Sequence, residues 1–205
     1  KPMGKGLRVP LAGVAVHSVE QHLTRLITKG YRVAICEQLE DAKATKGLVA
    51  RGVVRVVSPG TALEPTLLEA GTGQWCAALA LEGTAGREGV RAGIAAVDLS
   101  TGQFRVCELR GGLSTGGRLD EGSTRIAAGI ELARLGVREL LLPEEAAPGM
   151  EGLTGKAGTG PSLTLRPGRS FDAERGAEAL QQLFSLSDVE GLGLAEKEAA
   201  LAAAA

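Results

Sequence analysis

The chain has 205 residues, of which 44% are apolar and 23% charged, as is ordinary for a globular protein of one large or two small domains. Aromatic residues make up only 2%, so the core must be built from Leu, Val, Ile and Ala. The sequence contains no apolar run long enough to span a membrane and no basic-then-apolar N-terminal signal. Its abrupt start at Lys1, without Met, indicates a fragment.

Charge is distributed unevenly along the chain. Residues 1–61 contain ten Lys or Arg and four acidic residues, a net charge of +6, whereas residues 62–205 carry a net charge of −7. This asymmetry predicts two domains with different partners, and nucleic acid is the leading candidate for the basic one.

The basic part reads as a helix followed by two strands. Ser18 and Gln21 have capping-box spacing at the start of a helix, and Gly30 is placed to end it. Strands are predicted at 31–38 and 53–57, with a basic surface segment between them. A domain boundary is expected at the turn Ser58-Pro59-Gly60-Thr61.

The remainder predicts three antiparallel strands, then helix, strand, strand and helix. Ser100-Thr101-Gly102 is expected to be a tight hairpin turn, and Asp172 an N-cap. This order is that of a compact α/β layer resembling the ribonuclease H-like topology. The predicted strands are 75–81, 90–99, 103–109, 137–142 and 162–166, and the predicted helices are 124–135 and 172–184. In the first of these helices Ile126, Ile130 and Ala133 are expected to face inward. The alanine-rich C-terminal residues favour a helix that continues beyond the chain.

The three cysteines, Cys36, Cys76 and Cys107, lie inside apolar strand patterns without a CxxC pair. Buried free thiols in a reducing cytoplasm are the simplest interpretation. His17 and His22 have no third ligand at useful spacing, so a metal site is not predicted there.

No motif indicates an active site, because the chain lacks both a phosphate-binding loop and a dinucleotide fingerprint. A ribonuclease H-like nuclease would need several carboxylates around two metal ions, and Asp98 is the one candidate at a suitable strand end. Asp98 before Leu-Ser-Thr-Gly is more typical of a turn acid. The neighbouring acids form no recognisable pattern: Glu82, Glu108 and Glu139. A nuclease using Asp98 and a pure protein-interaction module remain the alternatives, and no catalytic, cofactor-binding or metal-binding residue is predicted.

Three stretches carry a resemblance to a known family. They are PLAGVAVHSVE at 10–20, GYRVAICEQLEDA at 30–42 and TKGLVARGVVRVVSPGT at 45–61. Together they resemble the end of the mismatch-recognition domain of the MutS family of bacterial DNA mismatch repair proteins. AAVDLSTGQF at 95–104 and the segment 171–194 are similar to that family's connector domain and its junction with the core.

The resemblance implies the α/β fold class, with part of a mixed-sheet domain I at 1–61, a ribonuclease H-like connector at 62–190, and the start of the core or lever region at 191–205. It implies a non-enzymatic, cytoplasmic and nucleoid-associated segment that binds double-stranded DNA with mismatches or small loops. MutL and a second MutS copy would be protein partners, and ATP and Mg²⁺ would belong to ATPase domains outside the chain. The family's Phe-x-Glu wedge is expected before Lys1. By position, the candidate DNA contacts are Lys1, Lys5, Arg8, Leu11 and Arg51.

Overall fold

The computed structural model describes residues 2–3, 7–8, 12–41, 47–62, 73–83, 89–112, 121–146, 153 and 160–205. Within these ranges, no helix has the length and apolar character needed to cross a membrane. The sequence also predicts a short connecting helix at 64–69 and a glycine-rich loop at 111–122, and the former and most of the latter lie outside the described residues.

The described residues of the basic part form two small antiparallel strand pairs, one α-helix and a short 3-10 helix at Val16–Ser18. Strands β1 (Pro2–Met3) and β2 (Leu7–Arg8) pair with each other. Helix α1 (Val19–Thr28) precedes the hairpin of β3 (Val33–Gln38) and β4 (Arg51–Val57). The pairing of β3 with β4 skips one residue at Val54, which forms a β-bulge. The two strands predicted to share one sheet are therefore confirmed as direct neighbours.

Helix α1 begins directly after Ser18 and ends at Gly30, as predicted, but it lacks the predicted capping hydrogen bond. The Gly30 amide donates to the Ile27 carbonyl at 2.8 Å and the Tyr31 amide to the Leu26 carbonyl at 3.0 Å, while Gly30 has a φ of +83°. This is a Schellman ending, which glycine favours because it lacks a Cβ. The predicted capping box is wrong, since the Ser18 hydroxyl donates to the Ala15 carbonyl at 2.9 Å and makes no cap bond with the helix.

A five-stranded mixed sheet organises the acidic part. It comprises β5 (Trp75–Glu82), β6 (Arg91–Asp98), β7 (Gln103–Arg110), β8 (Glu139–Pro143) and β9 (Ser162–Arg166), in the order β7-β6-β5-β8-β9. The first three strands are antiparallel, and β8 and β9 run parallel to β5. The predicted α/β class is thus confirmed. The strand order supports the ribonuclease H-like assignment, which remains a prediction.

Helices cover both faces of this sheet. Helix α2 (Glu121–Leu135) packs on one face through Ala128 and Leu132. Helices α3 (Ala173–Phe184) and α4 (Glu198–Ala204) pack on the other face. Alternate residues of β5 and β6 serve the two sides, as the two-residue side-chain period of a strand requires. On the α2 side these are Ala77, Leu79, Ala92, Ile94 and Ala96, and on the other side Ala80 and Ala95.

The inward face predicted for α2 is wrong, because the helix is rotated about its axis so that a different set of residues faces the sheet. Ile126 and Ile130 are 66% and 65% exposed, and Ala133 is also exposed. The buried face instead carries Thr124, Ala128 and Leu132. Thr124 is fully buried because its hydroxyl donates to the Val90 carbonyl at 3.0 Å and accepts from the Gly111 amide at 2.9 Å. The buried face of α2 thus combines two apolar side chains, Ala128 and Leu132, with one polar side chain whose hydrogen bonds are satisfied by distant backbone groups.

Helix α4 approaches the sheet backbone closely. A Cβ built on Gly93 of β6 would lie 1.7 Å from the Ala199 carbonyl oxygen. One built on Gly176 of α3 would lie 1.9 Å from the Leu201 carbonyl oxygen. Glycine at both positions lets the alanine-rich helix α4 fit between the sheet and α3. The predicted C-terminal helix is confirmed. Helix α4 lies in the predicted core or lever region at 191–205 and packs against the sheet. The predicted domain boundaries, between residues 61 and 62 and between residues 190 and 191, stay predictions.

Candidate functional site

The β3–β4 hairpin has one covered and one open face. Directly opposed residues of paired strands project to the same side of a sheet. Val33 and Ile35 pack with Val57 and α1, so they define the covered face. The pairs on the other side are all exposed, and we call them the open face of the hairpin: Ala34 with Val56, Cys36 with Val53, and Gln38 with Arg51.

Arg51 lies at the end of this open face. It is the first residue of β4, it is exposed, and its cross-strand neighbour is Gln38. An exposed guanidinium on a rigid strand is suited to a phosphate contact. Of the other four predicted contacts, Lys1, Lys5 and Leu11 lie outside the described residues. For Arg8 only the backbone pairing with Pro2 is described.

Cys36 also lies on the open face and is exposed, so its predicted burial is wrong. The physical reason is the alternation along β3, which turns Val33 and Ile35 toward α1 and Cys36 away from it. Cys76 and Cys107 are half-buried free thiols. Burial raises the pKa of Cys76 to about 11, with a smaller contribution from the negative charge of Glu139. Burial likewise raises the pKa of Cys107.

Asp98 is a turn acid, as its sequence context predicts. Its Oδ1 accepts from the Gln74 amide at 3.0 Å, the Ser100 amide at 3.0 Å and the Ser100 hydroxyl at 2.7 Å. Its Oδ2 accepts from the Thr101 hydroxyl at 3.0 Å. Burial acts to raise the pKa of Asp98, but the hydrogen bonds from Ser100, Gln74 and Thr101 together outweigh burial and lower it.

This arrangement favours the structural role of Asp98 over the nuclease alternative, because both carboxylate oxygens are used to fix the β6–β7 turn. Within the described ranges, no group of three or more His, Cys, Asp or Glu side chains is placed to hold a metal ion.

The junction between the two parts is built around a second buried carboxylate, Glu139. It is the first residue of β8 and only 4% exposed. Its Oε2 accepts from the Ser58 hydroxyl and, at 3.2 Å, from the Gly60 amide. Its Oε1 accepts from the Thr164 hydroxyl of β9 at 2.6 Å. One side chain of the sheet therefore bonds the turn that ends the basic part.

The turn at 58–61 is itself ordered by local hydrogen bonds. The Thr61 hydroxyl accepts from the Ser58 amide at 3.1 Å and lies 2.7 Å from the Ser58 hydroxyl. A Cβ built on Gly60 would lie 2.5 Å from Glu139 Cβ and 3.3 Å from Cys76 Cβ. Glycine at position 60 is therefore required for the turn to reach the sheet. The sequence predicts the turn but gives Glu139 no role, because no local signal links residues 79 positions apart.

Comparison with known proteins defines the class of both parts. The family model described as MutS domain I matches residues 2–66, and the one described as MutS domain II matches residues 75–205. The two matches follow each other along the chain, so the 58–61 turn lies within the first match and Glu139 within the second. They correspond respectively to the hairpin part and to the five-stranded sheet with its helices.

Relatives named as DNA mismatch repair protein MutS match over nearly the whole chain. That of Symbiobacterium thermophilum is 38% identical over 205 residues, covering 100% of this chain and 21% of the relative. That of Methanosarcina acetivorans is 37% identical over 201 residues, covering 96% and 21% respectively. The chain belongs to the MutS family of DNA mismatch repair proteins. It spans about a fifth of the length of the curated relatives it matches.

Proposed function

We propose that this chain is a DNA-binding and connector segment of a mismatch repair protein. Residues 1–61 would contact the backbone of mismatched or looped double-stranded DNA, and the five-stranded sheet would pass the state of the DNA on to other domains. The observation that carries the proposal is the order of the two family domains, with a basic hairpin part leading into an acidic α/β layer.

The segment is proposed to bind and not to catalyse. In this proposal ATP and Mg²⁺ act in ATPase domains elsewhere in the longer relatives, and mismatch insertion uses an aromatic wedge outside residues 1–205. MutL would dock on the connector, and a second copy would complete a homodimer in the cytoplasm. Arg51 is exposed on β4, which supports contact with the DNA backbone because its guanidinium is accessible to a phosphate. Such phosphate contacts fix the position of a protein on DNA without reading the base sequence.

Duplex binding across a salt series tests the DNA contacts. Each phosphate contact that is lost reduces the slope of log affinity against log salt by about 0.9. A chain carrying Arg51→Ala and Lys5→Ala is therefore expected to bind mismatched duplex more weakly at low salt, with a slope smaller by about 2. Fluorescence anisotropy at several salt concentrations gives both quantities.

The matched control is Arg166→Ala, which removes an exposed arginine from β9, on the sheet part of the chain. It should leave affinity and slope close to those of the unsubstituted chain. An unchanged slope in the Arg51 and Lys5 variant would overturn the contact assignment. No salt-dependent binding by the unsubstituted chain would overturn the proposed DNA-binding role.

A further inference from the structure

The junction at Glu139 differs from an ordinary flexible linker in its burial. Ser58 is 4% exposed, and Pro59 and Gly60 are also buried. Val57 and Ala62, on either side of the 58–61 turn, are buried in the core of the basic part, with Leu23 and Ile27. Thr164, the partner of Glu139 on β9, is 2% exposed. The basic part therefore enters the sheet part through a packed contact, from which water is largely excluded.

The hydrogen bonds of Glu139 divide between the two parts. Oε1 is held by Thr164 within the sheet, whereas Oε2 accepts from Ser58 and Gly60 of the turn. All three partners are donors, which matches the purely accepting character of a carboxylate. Hydrogen bonds to a charged acceptor are about twice as strong as those between neutral groups. Thr164 thus orients the carboxylate, and the free oxygen binds the turn.

Glu139 also lies at the end of the sheet that the basic part meets. It pairs in register with Cys76 at the start of β5 and with Ser162 at the start of β9. A Cβ at Gly60 would collide with Glu139 and touch Cys76. The 58–61 turn therefore lies directly against the ends of the parallel strands β5 and β8. Any movement of the basic part relative to the sheet would have to break the contacts of Glu139.

We propose that Glu139 is a positioning residue that fixes the orientation of residues 1–61 on the connector sheet by binding the 58–61 turn. The Glu139 carboxylate then determines how rigidly the basic part, which would contact DNA, is joined to the five-stranded sheet, which would pass on the state of the DNA. The consequence for mismatch signalling rests on the proposed function, whereas the contact and its effect on the junction do not.

Hydrogen exchange measured by mass spectrometry on the whole chain, without DNA, tests the proposal. In Glu139→Leu the Ser58 hydroxyl, the Gly60 amide and the Thr164 hydroxyl lose their acceptor. The exchange rate of the amides of Ser58 and of residues 60–62 is expected to rise about tenfold or more, and that of β6 to stay within about twofold. Pro59 has no amide hydrogen. Glu139→Gln should restore most of the protection, because its amide oxygen can still accept from the turn and its NH₂ group can donate to Thr164.

A second variant approaches the junction from the other side. Gly60→Ala leaves every polar group of the sheet in place but forces the turn away from Glu139 Cβ. It should give the same local increase at 58–62, so the test remains decisive even if Glu139→Leu fails to fold. The controls are Gly13→Ala, whose Cβ would meet nothing within 4 Å, and Glu108→Gln, a half-buried carboxyl of β7.

Unchanged exchange at 58–62 in a folded Glu139→Leu variant would overturn the proposal, and so would unchanged exchange there in Gly60→Ala if Glu139→Leu does not fold. So would a uniform increase over β5, β6 and the turn in both variants, since Glu139 would then only stabilise the sheet. Duplex affinity of the same variants is a separate measurement. Loss of junction protection without any DNA binding by the unsubstituted chain would reject the proposed function and leave the positioning role intact.

Discussion

At the scale of single residues, two buried carboxylates at one end of the sheet serve different purposes. Asp98 accepts hydrogen bonds from residues within its own turn and from Gln74 on the adjoining strand start. Glu139 binds a turn that lies about eighty residues earlier in the chain. The role of Asp98 was predictable because Asp-Leu-Ser-Thr-Gly places its donors two and three residues away. No comparable local pattern surrounds Glu139.

Replacing Asp98 by Asn should cost about 1–3 kcal/mol of unfolding free energy at neutral pH, because a charged acceptor of four hydrogen bonds becomes neutral. The folded pKa of Asp98 lies below its ordinary value of 3.8. Its stabilisation is therefore fully present above pH 3.8 and is lost as pH falls through the lower folded value. The difference in unfolding free energy between the unsubstituted chain and Asp98→Asn should therefore become smaller in that acidic range.

Urea unfolding of the unsubstituted chain and of Asp98→Asn, followed from pH 7 down to about pH 2, measures this difference. Using the difference between the two proteins cancels the titration of the other carboxyl groups they share. A difference that stays constant over the whole range would show that the charge of Asp98 contributes nothing to the stability of the turn.

At the scale of elements, close backbone approach decides where the C-terminal helix lies. Helix α4 is rich in alanine, and Ala199, Ala200, Ala202 and Ala203 are buried together with Leu201. Helix propensity alone predicted that these residues are helical. Their burial depends on Gly93 and Gly176, whose missing side chains admit the α4 backbone. The helix is therefore specified locally, and its position is specified by two distant glycines.

Gly93→Ala should destabilise the sheet part by about 2–3 kcal/mol, since the new methyl group would meet the Ala199 carbonyl oxygen, a backbone atom that cannot move independently. Chemical denaturation monitored by circular dichroism measures the change. Gly191→Ala is the matched control, because its Cβ would meet nothing within 4 Å. Equal stability of the two variants would contradict the close packing of α4 on β6.

At the scale of the whole molecule, the charge asymmetry follows the division into two family domains. The basic residues 1–61 fall in the part that matches MutS domain I, and the acidic remainder contains the part that matches MutS domain II. A basic part attracts polyanions, and an acidic part repels them and remains available to protein partners. This division supports the proposal of DNA contact by the basic part and partner docking on the acidic part.

The proposed MutL contact predicts that immobilised MutL retains the chain, and that the retained amount falls little when Arg51 and Lys5 are both changed to Ala. Those substitutions affect the basic part only, whereas the docking surface is expected on the sheet part. An immobilised unrelated acidic protein controls for non-specific retention. Absence of retention on MutL would remove the partner role from this segment.

The amino-acid sequence by itself determined the α/β class, most strand positions, the helix ending at Gly30, the N-cap at Asp172 and the family resemblance. These features depend on local periodicity, on glycine at positive φ, and on hydrogen bonds between near neighbours. Only the tertiary structure decided the inward face of α2, the exposure of Cys36, and the contact between Glu139 and the 58–61 turn. Each of these depends on which distant surface a residue meets, and the free energy of that contact is not encoded in any short stretch of the chain.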